Sequence, residues 1–185
     1  NEIVLPAGIF TVPGYRDEEL DDAVVYGYGG ASTIGHEITH GFDDQGRQYD
    51  DKGNLKSWWT KTDEDAFTKR AEVMITQFNK YEPIKGYHIN GKATLGENIA
   101  DLGGITLAYY AYNIHMKGLP AGEVLEGFTP EQRIFLGWAQ VWQGHGTDEY
   151  LRNQVTTDPH SPARFRVVGP MSNLKEFKEA FGCKD

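Results

Sequence analysis

Two histidines one helical turn apart, with a glutamate beside the first, constrain this chain more than any other feature of its sequence. They occur in the segment 36–40, which reads H-E-I-T-H. Residues i and i+4 of a helix share one face, so the rings of His36 and His40 can reach one metal ion while Glu37 stands beside it as a base. This pattern predicts zinc-dependent hydrolysis of a peptide bond. The alternative is a helix with two ordinary polar histidines.

A catalytic zinc site needs a third protein ligand, because it keeps its fourth position for water. The longer pattern H-E-x-x-H-x-x-G-x-x-H would supply a histidine at position 46. The chain has Gly46 there, and it has Asp43 where the glycine of the pattern is expected. That subclass of zinc peptidases is therefore excluded.

A pair of carboxylates further along the chain supplies the missing ligand. The segment 94–104 reads T-L-G-E-N-I-A-D-L-G-G and places Glu97 and Asp101 on one face of a predicted helix. We predict that Glu97 binds the metal, while Asp101 accepts the remaining N–H of a ligand histidine and fixes its tautomer. The alternative, two solvated carboxylates, agrees poorly with the small and apolar residues around them.

A histidine in a proline-flanked loop is a further candidate. The segment 157–162 reads T-D-P-H-S-P, so Asp158 lies two residues before His160, and Arg164 and Arg166 follow. An N–H-donating imidazole can stabilise the oxyanion that forms when a carbonyl is attacked, and an arginine can hold a substrate carbonyl or carboxylate. A purely structural loop is an equally good interpretation of this segment alone.

The pattern of apolar residues predicts a mainly α fold with little β structure in a single domain over residues 1–185. A 39% hydrophobic content supports a sizeable core. The net charge of −9 and the absence of a basic run disfavour nucleic acid as a partner, and no apolar stretch approaches the roughly 20 residues of a membrane span. We expect an extended segment at 3–12, a helix start at 17–22, and helices at 24–42, 58–81, 95–116, 130–142, 148–155 and 172–181.

Taken together, these segments resemble the neprilysin family of zinc metallopeptidases, which includes the endothelin-converting enzymes and bacterial oligopeptidases. The similarity covers almost the whole chain. It rests on N-E-I-V-L-P-A-G (1–8), G-H-E-I-T-H-G-F-D-D (35–44), W-W (58–59), N-G (90–91), G-E-N-I-A-D-L-G-G (96–104), A-Q-V-W (139–142), H-S-P (160–162) and F-R (165–166). The resemblance implies a thermolysin-like catalytic lobe of the gluzincin type, which binds one zinc ion and acts on peptides.

The resemblance also implies a role for each residue of the metal site. His36, His40 and Glu97 would be the zinc ligands. Glu37 would be the general base, and Asp101 would orient His36.

The same resemblance implies how a substrate is bound. His160, held by Asp158, would stabilise the transition state, and Arg166 would bind the substrate. Three residues match positions near the pocket for the side chain that follows the scissile bond, namely Ile9, Val141 and Trp142. The expected activity is cleavage of oligopeptides on the amino side of bulky hydrophobic residues.

The chain departs from the family pattern at both ends and in its cysteines. It begins after the Asn-Ala-aromatic segment that binds the substrate main chain, lacks the N-terminal lobe that roofs the active-site chamber, and ends before the usual short tail. We therefore expect a fragment whose partner is the N-terminal lobe of the same parent protein. Phe78 and Gln143 stand where secreted animal relatives carry disulfide-forming cysteines, and Cys183 alone matches one. A bacterial origin is expected, in the envelope, the periplasm or secreted, with the cytoplasm left open.

Two other functions stay open at this point. A non-catalytic module would use zinc to join the helices at 24–42 and 95–116, and it predicts four protein ligands with no bound water. A zinc aminopeptidase would need acidic residues that hold the free amine of the substrate.

Overall fold

The computed structural model describes residues 2–184; Asn1, the first residue of the matched segment 1–8, lies outside them. Helices make up most of this part of the chain, and strand structure there is limited to three isolated antiparallel bridges. The predicted mainly α fold is confirmed. The α-helices are α1 (Asp22–Val25), α2 (His36–His40), α3 (Lys61–Phe78), α4 (Leu95–His115), α5 (Pro130–Val141), α6 (Asp148–Thr157), α7 (Ala163–Met171) and α8 (Lys175–Phe181).

The helix predicted at 24–42 forms as one continuous helical segment with different ends. It begins at Asp22, because the side chain of Asp21 accepts a hydrogen bond from the amide of Val24 and caps the first turn. It ends at His40, and the next residues turn back over its last turn. The H-E-I-T-H motif therefore forms the final turn of this helix.

The middle of the same segment, Tyr26–Gly35, is π-helical, which the sequence did not predict. The amide of His36 reaches the carbonyl of Ala31, five residues back. Close packing accompanies this wider geometry: a β-carbon on Gly35 would lie 2.8 Å from the Cα of Gly104 in α4. The glycines thus let α2 and α4 cross almost backbone to backbone.

Several predicted boundaries shift for local reasons. The helix predicted at 58–81 begins only at Lys61, because Thr60 and Asp63 form a capping box at its start. The helix predicted at 148–155 extends to Thr157, and the one predicted at 172–181 begins at Lys175. The segments predicted as extended at 3–12 and as a helix start at 17–22 contain short 3₁₀ turns, Ala7–Phe10 and Asp17–Glu19.

One helix, α7, was missed. Pro162 precedes it and Pro170 lies near its end, so the sequence looks like a loop. A proline at the N-cap needs no hydrogen-bond donor, and only the last turn contains the second proline. Arg166 therefore lies on a helix and not in the loop that carries His160.

Helix α4 is the centre of the molecule, because it contributes to each of the three apolar clusters. Its Leu95, Ile105 and Tyr112 belong to three different clusters. The largest contains Ala31, Ile105, Ala108, Phe135, Trp138, Met171 and Leu174. Side chains on the site-facing side of α4 are therefore carried by a rigidly packed element. Among the described residues, no helix combines the length and apolar character that crossing a membrane requires.

Candidate metal centre and catalytic site

The structure brings the three predicted metal ligands together. Nε2 of His36 lies 3.1 Å from Nε2 of His40 and 3.3 Å from Oε2 of Glu97. Nε2 of His40 lies 3.6 Å from Oε1 of Glu97. The two imidazoles come from one turn of α2 and the carboxylate from the first turn of α4, so the glycine crossing of these helices determines the spacing.

This triangle has the size of a tetrahedral zinc site. With zinc–nitrogen and zinc–oxygen distances near 2.1 Å, neighbouring ligand atoms are about 3.4 Å apart. Oε2 of Glu97 is buried, and no described residue gives it a well-aligned hydrogen bond, so it is free to bind a cation. The group contains two imidazoles and one carboxylate, which is a donor set that zinc accepts with one position left for water.

A carboxylate lies close to Nδ1 of each predicted ligand histidine, on the side of the ring away from Nε2. Nδ1 of His36 lies 2.9 Å from Oδ1 of Asp101, which is fully buried, although the N–H is not well aligned with that oxygen. Nδ1 of His40 lies 2.7 Å from Oδ2 of Asp43. Such contacts hold an imidazole with Nε2 toward the metal.

Sequence reasoning overlooked Asp43, which it considered as the position where the longer histidine pattern requires a glycine. Its Oδ1 accepts hydrogen bonds from the amides of Gln45 and Gly46 at 2.8 and 2.6 Å. The same carboxylate therefore folds the loop after α2 and contacts His40. Its position three residues after His40 was the available signal.

The carboxylates also decide the charge of the site when no metal is bound. Burial disfavours a charged imidazole, but Asp101 and Glu97 outweigh it and raise the pKa of His36 to about 9. Its contact with Asp43 raises the pKa of His40. Burial opposes ionisation of Glu97, yet His36 and the other nearby imidazoles lower its pKa. At neutral pH a metal ion must therefore displace a proton from His36.

Arg166 is buried against the carboxylates of the site. Its Nε and terminal NH₂ group donate to the two oxygens of Asp101 at 2.8 and 2.6 Å, and the same NH₂ group lies 3.6 Å from Oε2 of Glu97. The ring of Trp142 covers its guanidinium at 3.9 Å. Two of its donors are thus committed to Asp101, and its role in substrate binding stays a prediction.

The loop of His160 faces the metal site. Nε2 of His160 lies 3.2 Å from Oε2 of Glu97, and Nδ1 lies 2.7 Å from Oδ1 of Asp158. The side chain of His160 is 43% exposed, so it stands at the mouth of the site. Nε2 of His160 therefore lies next to the carboxylate of the predicted ligand Glu97.

A cleft of about 440 Å³ opens beside the ligands, and both Glu37 and His40 line it. Ile9 lines the same cleft, as does Thr33, which sequence reasoning overlooked although it lies one turn before His36. Two of the predicted pocket residues, Val141 and Trp142, do not line it. Trp142 lies instead against Arg166. Their place in one pocket with Ile9 stays a prediction.

Comparison with known proteins agrees with this geometry. The model of peptidase family M13 matches residues 1–185. Endothelin-converting enzyme 1 of Rattus norvegicus is 48% identical over 185 residues, which are 99% of this chain and 24% of that protein. Neprilysin-3 of Drosophila melanogaster is 42% identical and is matched over 23% of its length. The chain thus spans about a quarter of the length of the curated relatives it matches.

Solved structures give the same result. The zinc metalloprotease Zmp1 of Mycobacterium tuberculosis, in its open state, superimposes with a TM-score of 0.91 at 43% identity. The alignment covers all of this chain and 29% of that one.

Proposed function

The chain belongs to peptidase family M13, the neprilysin family of zinc metallopeptidases, and from this membership we propose that it forms the catalytic site of a zinc-dependent endopeptidase that hydrolyses oligopeptides. The observation that carries the proposal is the ligand triangle of His36, His40 and Glu97, with edges of 3.1 to 3.6 Å. Glu37, on the same turn as the two histidines, lines the adjoining cleft.

In this proposal one zinc ion is held by His36, His40 and Glu97. When bound there, zinc would act as a Lewis acid toward the substrate carbonyl and would lower the pKa of a water molecule toward neutrality. Glu37 takes a proton from the attacking water and returns it to the leaving amine. Asp101 and Asp43 keep the two imidazoles oriented, as their contacts with Nδ1 of His36 and His40 support.

We assign transition-state stabilisation to His160. In this proposal Asp158 accepts a hydrogen bond from Nδ1–H of His160, and the oxyanion accepts one from Nε2–H. The position of Nε2, 3.2 Å from Oε2 of Glu97, supports this role, because the oxyanion would form next to that metal ligand. Arg166, next to Glu97, is the candidate for binding a substrate carbonyl.

The preferred cleavage site is part of the proposal. Ile9 in the cleft supports cleavage on the amino side of bulky hydrophobic residues. Val141 and Trp142 complete the proposed pocket only if it extends toward Arg166. The bacterial origin and the envelope or secreted location, expected from the use of cysteine, stay predictions as well.

The decisive experiment replaces Glu37 by Gln in the zinc-loaded protein. We expect zinc content to stay at one ion per chain by elemental analysis while peptide hydrolysis falls by several orders of magnitude, because the amide cannot accept the proton. Glu72→Gln, an exposed change on α3, is the matched control and keeps full activity. A Glu37→Gln variant as active as the control refutes the proposal.

The two rival functions are separated by other measurements. A zinc-stabilised module needs a fourth protein ligand, whereas the candidate group among the described residues has three. One observation favours an aminopeptidase: Glu2, an acidic residue, lines the same cleft, and its carboxylate can bind the free amine of a substrate. Hydrolysis of N-acetylated peptides at internal bonds would exclude the aminopeptidase.

A further inference from the structure

A fully buried hydrogen bond joins the loop of His160 to the helix of Glu97. Oγ of Ser161 donates to Oδ1 of Asn98 at 2.8 Å, and neither residue is exposed to solvent. The amide group of Asn98 donates in turn to Oγ1 of Thr94 at 2.9 Å, and that hydroxyl donates to the carbonyl of Asn90. The series ends at a backbone carbonyl, which can only accept, so the direction of each hydrogen bond in it is fixed.

The position of this hydrogen-bond network in the sequence indicates what it does. Asn98 directly follows Glu97, and Ser161 directly follows His160. The hydrogen bond therefore connects the neighbours of two residues whose functional atoms, Oε2 and Nε2, lie 3.2 Å apart.

The other contacts of His160 cannot replace this link. Both the backbone amide and Nδ1 of His160 bond to Asp158, which belongs to the same loop and moves with it. Arg166 holds α7 to Asp101, but it lies six residues after His160 along the chain. Apart from the contact of its own Nε2 with Glu97, which is the distance to be set, the bond from Ser161 to Asn98 is the hydrogen bond to α4 nearest to His160 along the chain.

We propose that Asn98 and Ser161 are positioning residues that set the distance between His160 and the metal site. The inference rests on the proposed function. A donor acts on an oxyanion only when it lies about 2.7–3.1 Å from it, and a displacement of about 1 Å lowers the rate on the order of 100-fold. A buried bond between two packed elements restrains the loop against such a displacement.

The test is Ser161→Ala in the zinc-loaded protein, alone and combined with His160→Ala. We expect the single change to lower kcat about 10- to 100-fold, with KM within about twofold and zinc content unchanged. In the His160→Ala background the same change should have no further effect beyond about twofold, because the group that it positions is gone. Thr106→Val is the matched control, since it removes the hydroxyl of a half-buried residue of α4 that donates only to the carbonyl of Leu102 within the same helix.

Two further measurements do not depend on turnover. The affinity for a phosphonate peptide, which mimics the tetrahedral intermediate, should fall about tenfold in Ser161→Ala and not at all when that change is added to His160→Ala. Amide hydrogen exchange should rise in Asp158, His160 and Ser161, the residues of this loop that have a backbone N–H, and stay unchanged in α4. Ser161→Cys, of similar volume with a weak donor, replaces the alanine variant if that variant does not fold.

Equal losses of kcat or phosphonate affinity from Ser161→Ala in both backgrounds would show a general structural role and overturn the proposal. Ser161→Ala behaving like Thr106→Val would also overturn it while leaving the metal site and Glu37 untouched. Failure of the proposed function is recognised separately, by full activity in Glu37→Gln.

Discussion

Replacing Gly104 by Ala tests whether the crossing of α2 and α4 determines the metal site. A β-carbon there would lie 2.4 Å from the carbonyl oxygen of Ala31 and 2.8 Å from the amide nitrogen of His36. Both neighbours are backbone atoms, so no side chain can rotate away. Restoring ordinary contact, which begins at 3.4 Å, requires the helices to separate by about 1 Å.

The free-energy cost of Gly104→Ala can appear as a loss of folding stability or as a loss of zinc affinity. Overpacking of this kind destabilises a protein by about 1–3 kcal/mol. The separation also lengthens the distances from Glu97 to the two imidazoles, which measure 3.3 and 3.6 Å and so bracket the value of about 3.4 Å in an ideal tetrahedral site. If the strain is relieved at the expense of metal binding, 1–3 kcal/mol corresponds to about a 5- to 150-fold loss of zinc affinity.

The assay combines urea unfolding of the metal-free protein with zinc titration against a competing chelator. The control is Gly30→Ala, in the π-helical part of the same helical segment, where a β-carbon would meet its nearest neighbour at 3.8 Å. It should leave zinc affinity unchanged and stability equal or slightly higher, because alanine restricts the unfolded chain. Wild-type stability together with wild-type zinc affinity in Gly104→Ala would refute the reasoning.

Two further predictions concern carboxylates. Asp43→Ala should lower zinc affinity about 10- to 100-fold by releasing the ring of His40, as measured by chelator competition, and unchanged affinity would contradict this. Asp101→Ala should lower affinity similarly and also lower the free energy of unfolding by about 3–5 kcal/mol, because it leaves a buried arginine without its partner. A third prediction concerns Asp21, which caps the helical segment 22–40 at its start. Burial opposes ionisation of Asp21, but Arg133 and backbone amides outweigh burial and lower the pKa of Asp21. The stabilisation by ionised Asp21 is therefore fully present above its unfolded pKa near 3.9, and it is lost as the pH falls through the lower pKa of the folded state. The urea midpoints of wild type and Asp21→Asn should accordingly converge in acid. A constant difference between the two midpoints down to the lowest pH would contradict the assignment.

The parts of the site that could be predicted from sequence are those that depend on one helix. The pairs His36 and His40, and Glu97 and Asp101, lie together because residues one turn apart share a face, whatever the rest of the chain does. The prediction that these two helices meet followed from one further fact, that a catalytic zinc ion needs a third protein ligand.

What the sequence did not predict depends on contacts between distant segments. The π-helical turns follow from glycines packed against α4 and α5, and an isolated glycine-rich stretch does not reveal such partners. Helix α7 was missed because prolines at both of its ends obscure a stretch that is held by Trp138 and Asp101. Asp43 was overlooked because its contact with His40 exists only after the loop has turned back.

The π-helical turns have a consequence for how the length of this segment can vary. Its first turn is anchored through Asp21 to Arg133 of α5, and its last turn is pressed against Gly104 of α4. With both ends held, the number of residues between them decides the direction in which the two imidazoles face. Removing one residue would turn them by about 100° away from Glu97. Changes of side chain at exposed positions are compatible with metal binding, whereas a deletion between these two anchors is not.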